Sequence, residues 1–451
     1  MKNSFAKERE SKRNKTSCGE KRVVRTILSH ASFTQEIFKM INVEFDRRSF
    51  MQIGGISAGL SALGLSDTHA QSLPTSDKSV VWLWLGGGAT HIETFDPKPS
   101  AQEGVRSVNG SVMTNGDFLL GGNFLKLATR SDKIAVVRSF AHRNSSHRTG
   151  THWVMTGHNS TDNTPQSMQQ EPSYGSVMSS MYGANHSVTG MPTYVRVNGI
   201  SFDGPAWLGG QYKPYEASGE GVSNLKSRVE NNRFVQRKDL IGGLDRLKIE
   251  NDLEIWPDLR KQSFGLILGK ASEAFDLNKE PEDNRKRYGK GLGEQMLLAR
   301  RLVQNGTKFV TLHYGGWDMH GNIAKALDGR MPSLDHALST FIDDLAERGM
   351  SKDVLLVVTG EFGRTYRVNK NGGRDHWPQL SPLMFSGGDF EMGRAIGEST
   401  SKVETPKSDP FGPKDVTATL FSHFGIDPQT QKIDFAGRPR YFVESDAKVI
   451  L

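Results

Sequence analysis

The chain has 451 residues, 36% of them hydrophobic, with 57 Lys and Arg against 50 Asp and Glu and a single Cys. This composition supports a large buried core and excludes disordered, collagen-like and disulfide-scaffold proteins. The formal net charge is +7, but residues 1–70 carry 12 basic and 7 acidic side chains, so the rest of the chain holds only +2. A nucleic-acid partner is therefore not expected.

Residues 1–71 resemble a leader with a twin-arginine export signal. Arg47 and Arg48 precede an apolar run of small residues at 53–65, and the segment 68–70 (THA) offers a cleavage site. The run is too short to cross a bilayer core of ~30 Å as a helix. We therefore expect export to the periplasm or extracellular space, with no transmembrane segment in the mature chain. The alternative is an amphipathic core helix with a chance arginine pair.

Short apolar segments alternate with helical patterns along residues 72–451, which we expect to form one large domain. β-Branched and aromatic runs predict buried strands, and periodic apolar positions near Pro or Gly predict helices. The strands are at 80–85, 134–137, 194–197, 308–312, 354–358 and 383–385, and the helices are at 293–305, 332–348 and 413–424. Such alternation predicts an α/β fold with a large, mainly parallel sheet sandwiched between helices.

A polar segment at residues 201–287 interrupts this alternation. It contains charged helical patterns, particularly within 224–251. We expect a helical insertion, which forms either a cap beside the functional edge of the sheet or a solvated excursion without a role.

Polar residues cluster directly after the predicted strands. The clusters occupy 86–96, 314–321, 359–365 and 373–378. The carboxyl ends of parallel strands form the crevice of such a sheet, so these side chains should meet there. The only cysteine, Cys18, lies in the leader, so the mature chain offers carboxylates and imidazoles but no thiolates. Such ligands suit one or two divalent ions, such as Zn²⁺, Mn²⁺, Ca²⁺, Mg²⁺ or iron.

Several motifs, in order, resemble the domain-of-unknown-function 1501 (DUF1501) family of exported bacterial proteins. They include WLGGGATHIETFDPKP at 84–99, MTGH at 155–158, GGWDMHGN at 315–322, GEFGRT at 360–365 and GRDHWP at 373–378. The resemblance covers nearly all of residues 80–451. This family is similar in turn to sulfatases and the alkaline phosphatase superfamily, which implies their large mixed sheet and a two-metal site.

The resemblance also implies a set of metal ligands. An aspartate after the first strand would correspond to Asp96 or, alternatively, to His91. The later positions are, in chain order, Asp318, His320, Glu361, Asp375 and His376.

The position of the nucleophile departs from the sulfatase pattern. Counting back from the Thr-Gly pair at 156–157 reaches His147, followed by Arg148, so no hydroxyl occupies this place. The candidate catalytic residues are His147, Arg148 and Arg364. His147 could be a metal ligand, a nucleophile or a proton donor, and Ser145 or Ser146 could replace it if the turn is rearranged. A metal ion that acidifies water would remove the need for a protein nucleophile.

Other polar residues have simpler interpretations. Arg364 and Arg374 either clamp an anionic substrate or pair with a ligand carboxylate. The glycines at 86–88 favour a strand-exit turn over a phosphate cradle. Four further histidines are expected to be structural or surface residues: His152, His158, His336 and His423.

Two functions follow. The acids, histidines and arginines at the strand ends favour an exported metal-dependent hydrolase of phosphate or sulfate esters, with a small-molecule or polysaccharide substrate. The missing hydroxyl favours a catalytically degenerate relative that acts in binding or in the cell envelope. We expect the hydrolase.

Overall fold

A computed structural model describes residues 77–160, 169–217 and 270–451. The predicted leader at 1–71 and most of the predicted insertion at 201–287 lie outside the described residues. All described residues belong to the same structural unit. Within them, no helix has the length and apolar character that crossing a membrane requires.

The described part of the chain contains 14 strands and eight α-helices, numbered in chain order. The strands are β1 (Ser79–Trp84), β2 (Ser111–Met113), β3 (Leu119–Gly121), β4 (Ile134–Val137), β5 (Tyr194–Val197), β6 (Tyr215–Glu216), β7 (Phe309–His313), β8 (Val354–Thr359), β9 (Gly363–Arg364), β10 (His376–Trp377), β11 (Leu383–Gly387), β12 (Arg394–Ile396), β13 (Gln431–Ile433) and β14 (Pro439–Tyr441). The helices are α1 (His91–Thr94), α2 (His147–Thr156), α3 (Tyr174–Tyr182), α4 (Lys270–Phe275), α5 (Glu282–Tyr288), α6 (Leu292–Gln304), α7 (Ile323–Glu347) and α8 (Pro413–Phe424).

Eight of these strands form one mixed sheet in the order β12-β4-β11-β8-β1-β7-β5-β6. β1 is central and pairs in parallel with both β7 and β8. β11 is antiparallel to both of its neighbours, and the other pairs in the sheet are parallel. The predicted fold class, a large mainly parallel sheet between helices, is confirmed.

The two faces of the sheet bury separate apolar clusters. Every residue of β1 and β8 is buried, as expected for strands covered on both sides. Alternate β1 residues contribute to opposite clusters, with Val81 and Leu83 packed in the layer of α6 and α7, and Val80 and Trp82 in that of α2, α3 and α8.

All six predicted strands are present, but one helix prediction was wrong at its start. The predicted helix begins at Pro332, whereas this residue lies inside α7, which begins at Ile323. Leu327 and Met331 are fully buried and continue the apolar stripe toward the amino end. The burial of this stripe therefore outweighs the cost of about 3 kcal/mol for an internal proline.

Candidate metal centre

The ends of the three central strands lie side by side. Trp84, the last residue of β1, is in register with His313 at the end of β7 and with Thr359 at the end of β8. The loops that follow these strands therefore meet at one edge of the sheet. They carry most of the predicted polar clusters, as the crevice of a doubly wound sheet requires.

Glycines allow these loops to approach closely. At Gly87, which has a φ of +107°, an added Cβ would lie 2.6 Å from the backbone nitrogen of Asp318. At Gly373 it would lie 2.1 Å from the carbonyl carbon of His320. Any side chain at either place would push the loops apart. A short hairpin adds to this arrangement, since β9 and β10 pair His376 directly opposite Arg364.

Three histidines are oriented in the same way. Nδ1 of His147 lies 2.7 Å from Oε1 of Glu361, Nδ1 of His320 lies 2.7 Å from Oδ1 of Asp375, and Nδ1 of His376 lies 2.8 Å from the carbonyl oxygen of Ser145. Because each partner is an oxygen acceptor, we assign the proton to Nδ1 in all three rings. In the neutral rings the lone pair is then on Nε2.

The three Nε2 atoms converge on Asp318. Their distances to its carboxylate oxygens are 3.4 Å for His147, 2.9 Å for His320 and 3.2 Å for His376. Nε2 of His320 also lies 3.1 Å from Nε2 of His376. Nη1 of Arg364 lies 3.5 Å from Nε2 of His320, and a metal ion among these atoms would hold the ring lone pairs and the carboxylate together.

The spacing of these atoms suits a metal ion. Ligand atoms bonded at ~2.0–2.1 Å lie about 2.8–3.4 Å from one another in octahedral or tetrahedral coordination. His147, Asp318 and His376 each offer one ligand atom, and these atoms all lie within 4.8 Å of one another. Among the described residues, Nε2 of His147 and Oε2 of Glu361 are buried without a hydrogen-bond partner. The donor set therefore fits a divalent ion.

Arg364 is fully buried behind Asp318. Its guanidinium donates to Oδ1 of Asp318 at 2.5 Å and to the carbonyl oxygens of Gly87, Gly88 and Arg374. Of the two predicted roles, the structure thus shows the ion pair with a carboxylate of the cluster. Burial opposes ionisation of Asp318, but the hydrogen bond and charge of Arg364 outweigh it and lower its pKa to about 2.

Two of the three histidines beside Asp318 have pKa values shifted in opposite directions. The hydrogen bond from His147 to Glu361 raises the pKa of His147. Burial is the main cause that lowers the pKa of His376. Phe362 contributes to this burial, since its ring lies 5.0 Å from the His147 ring and 4.5 Å from the His376 ring. The Phe362 ring therefore provides an apolar surface beside the cluster, which strengthens interactions between its charges.

Glu361 is fixed by groups on two other segments. The amide of Gly87 donates to its Oε1 at 2.8 Å, and Nε2 of His142 lies 2.7 Å from its carbonyl oxygen. Burial lowers the pKa of His142 to about 4, so this ring is neutral at physiological pH. These contacts orient the carboxylate that orients His147. Sequence reasoning missed them because two of the four groups are backbone atoms, although the glycine-rich turn was a usable signal.

The structure does not bring two of the predicted ligands, His91 and Asp96, into the cluster around Asp318. Nε2 of His91 is 3.4 Å from the carbonyl oxygen of Val403, and burial lowers the pKa of this ring to about 3. Asp96 accepts a hydrogen bond from Ser399 and lies near Lys98 and Arg138. Among the described residues, neither belongs to the convergent group.

The side chains of His91 and Asp96 instead contact a later segment of the chain. Their partners Val403 and Ser399 lie after β12, outside the loops that follow β1, β7 and β8. The loop after β1 contributes backbone groups to the cluster, since the amide of Gly87 donates to Glu361 and the carbonyl oxygens of Gly87 and Gly88 accept from Arg364.

The remaining predicted residues separate into exposed and buried positions. Arg148 is exposed in the first turn of α2, next to His147. Arg374 is buried in an ion pair with Glu93. His423 is buried against the carbonyl oxygen of Ser79, at 3.0 Å from Nε2. Arg148 thus lies at the surface of the protein, whereas Arg374 lies in its interior.

Fold and site define an α/β protein with a His/Asp cluster at the carboxyl edge of its sheet. The chain belongs to the DUF1501 family, described as a protein of unknown function, which matches residues 77–451. The predicted family resemblance is thus confirmed. No curated protein matches the chain.

The chain is similar to several solved structures. The PsFucS1 sulfatase from Pseudoalteromonas sp. is 11% identical, with a TM-score of 0.40, over 82% of this chain and 70% of that one. The alkaline phosphatase from the Antarctic bacterium TAB5 is 11% identical, with a TM-score of 0.36, over 79% and 99%. The lipoteichoic acid synthase LtaP from Listeria monocytogenes is 11% identical, with a TM-score of 0.37, over 91% and 80%. Likeness at this level gives no information on activity.

Proposed function

We propose that this protein is an exported, metal-dependent hydrolase of phosphate or sulfate esters, carried by a small molecule or a polysaccharide. The observation that carries the proposal is the convergence of three Nε2 atoms on Asp318, with the opposite nitrogen of each ring bound to an oxygen. Rings locked in this way present a lone pair to a metal ion.

In this proposal His147, Asp318, His320 and His376 hold the ion. Glu361 and Asp375 accept hydrogen bonds from the Nδ1–H groups of His147 and His320 and so fix the orientation of these rings. When bound, a divalent ion would supply positive charge to the ester oxygens and lower the pKa of a water molecule.

Water is the proposed attacking group. The position that the family resemblance assigns to the nucleophile holds His147, whose two nitrogens both face carboxylates, at 2.7 and 3.4 Å. A ring held in this way is suited to a ligand rather than to attack on an ester. Arg148 is exposed and directly follows His147, and in this proposal it contacts the anionic substrate.

The test begins with metal analysis of the purified mature chain. The metals found are then added to the apoprotein in a panel of aryl phosphates and aryl sulfates. His320→Ala should lower kcat/KM at least ~100-fold, because it removes a ligand of the ion. His336→Ala is the matched control, since this partly exposed histidine on α7 contacts Lys126 instead. Its kcat/KM should equal that of the wild type.

Two outcomes would contradict the proposal. A wild-type protein that carries stoichiometric metal but turns over no ester would indicate a binding or envelope-structural protein. A wild-type protein that binds no divalent metal would remove the basis of the assigned ligands as well.

Export is the second part of the proposal. The paired guanidinium groups of Arg47 and Arg48 are the part of the signal that a transport receptor would read. Replacing both with lysine should leave the precursor in the cytoplasm, whereas the wild-type mature protein should begin near Gln71. Unchanged export of the double variant, measured by cell fractionation, would contradict this part alone.

A further inference from the structure

Arg374 is a fully buried cation with an unusually complete set of partners. Its Nε lies 3.1 Å and its Nη2 3.0 Å from Oε1 of Glu93. The remaining hydrogen bonds of its guanidinium go to four backbone carbonyl oxygens, those of Val105, Arg106, Thr365 and Tyr366. One side chain therefore joins three separate segments of the chain: α1, the loop around residue 105 and the loop after β9.

Glu93 is equally constrained. Its second oxygen, Oε2, accepts hydrogen bonds from the hydroxyl of Ser107 at 2.6 Å and from the amide of Val108 at 2.9 Å. The carboxylate is buried, and it lies in the short helix that follows β1. Glu93 thus fixes Arg374 relative to the strand at the centre of the sheet.

The backbone of Arg374 links two segments that carry groups of the metal centre. Its amide donates to the carbonyl oxygen of Met319 at 3.0 Å, and its carbonyl oxygen accepts from Nη1 of Arg364 at 3.1 Å. Met319 separates Asp318 from His320, and Arg374 immediately precedes Asp375 and His376. A shift of Arg374 would therefore move groups on both sides of the convergent Nε2 atoms.

We propose that Glu93 and Arg374 are positioning residues that set the geometry of the metal centre without touching the ion. The inference rests on the metal binding proposed above. It predicts that the Glu93 carboxylate controls metal affinity through Arg374, and not as a direct partner of the histidine rings. Outer partners of metal ligands typically change metal affinity about 10–100-fold when they are replaced.

The measurement is a titration of the apoprotein with Co²⁺, followed by its visible absorption bands, which report ligand geometry. Glu93→Gln keeps the shape of the side chain but removes the charge that faces Arg374. Its Kd for Co²⁺ should rise about 10–100-fold, with a changed band shape. Ser107→Ala removes one hydrogen bond to Glu93 and should give a smaller rise, so it serves if Glu93→Gln does not fold.

Glu280→Gln is the matched control. Glu280 is also a buried carboxylate paired with arginines, but it belongs to the helix layer formed by α5, α6 and α7. This variant should lose stability yet keep the Kd and the absorption bands of the wild type. A second readout needs no metal: the Arg374 amide should exchange its hydrogen faster in Glu93→Gln than in Glu280→Gln.

The outcomes are distinct. Wild-type Kd, bands and amide exchange in Glu93→Gln would overturn the inference and leave the proposed function intact. Equal weakening in Glu93→Gln and Glu280→Gln would show a general loss of stability and overturn it too. A wild-type protein that binds no Co²⁺ or other divalent ion would overturn the inference and the proposed function together.

Discussion

Two regions of this molecule concentrate charged side chains, and they differ in how the charges are balanced. In the helix layer, Glu280 lies 2.7 Å from Arg301 and also contacts Arg300, while Asp344 lies 3.0 Å from Arg300 and 2.6 Å from Arg348. The side chains of Arg300, Glu280 and Asp344 are 1%, 4% and 3% exposed. Three guanidinium groups and two carboxylates thus pair with one another in a closed network.

The candidate metal centre has a different composition. Its Asp318 and His320 side chains are 45% and 46% exposed, and the Nε2 atoms of three histidine rings approach the carboxylate. Arg364 is the cation that faces Asp318, and its Nη1 also lies 3.5 Å from Nε2 of His320. The difference shows that a dense polar cluster is not in itself a site. The convergence of ring nitrogens on one carboxylate is what distinguishes the candidate metal centre.

The largest expected effect tests the closed network. Glu280→Gln should lower the free energy of unfolding by about 3–5 kcal/mol, because it removes the carboxylate that faces Arg301 and leaves Arg300 with Asp344 alone. Metal affinity should not change. Urea unfolding of the apoprotein measures the first quantity and a metal titration measures the second. A loss below ~1 kcal/mol would show that the network is not the stabilising element that its burial indicates.

The next effect tests the open cluster. A divalent metal at ~1,000 times its Kd should raise the free energy of unfolding by about 4 kcal/mol, and a chelator should remove this gain. His320→Ala should lose most of it, because one of the converging ligands is gone, whereas His336→Ala should keep it. The readout is unfolding with and without metal. Equal gains in His320→Ala and the wild type would exclude His320 as a ligand.

The contrast also explains what the sequence could predict. The strands could be predicted because runs such as those of β1 and β8 are apolar throughout. Asp318, Glu361 and His376 could be identified as candidate site residues because they follow such strands or their loops. His91 and Asp96 lie outside the cluster around Asp318 because their side chains contact Val403 and Ser399, and no local pattern predicts contacts between positions so far apart in sequence. The orientation of the histidine rings could not be predicted from the sequence either, since it depends on the carbonyl oxygen of Ser145 and the amide of Gly87, which are backbone groups.

The smallest expected effect is a change in stability with pH. It concerns a histidine that lies outside both regions, so it can be measured without a contribution from the candidate metal centre. His423 on α8 is buried, and burial outweighs two nearby carbonyl oxygens and lowers its pKa from 6.5 to about 4. Between these values the unfolded chain binds more protons than the folded one, so stability falls as the pH drops. At pH 5 the loss from this group is about 2 kcal/mol relative to neutral pH. His423→Gln cannot take up this proton, so metal-free unfolding measured from pH 7 to pH 5 should show a shallower decline than in the wild type. Parallel curves for the two proteins would mean that His423 is not held neutral by its burial.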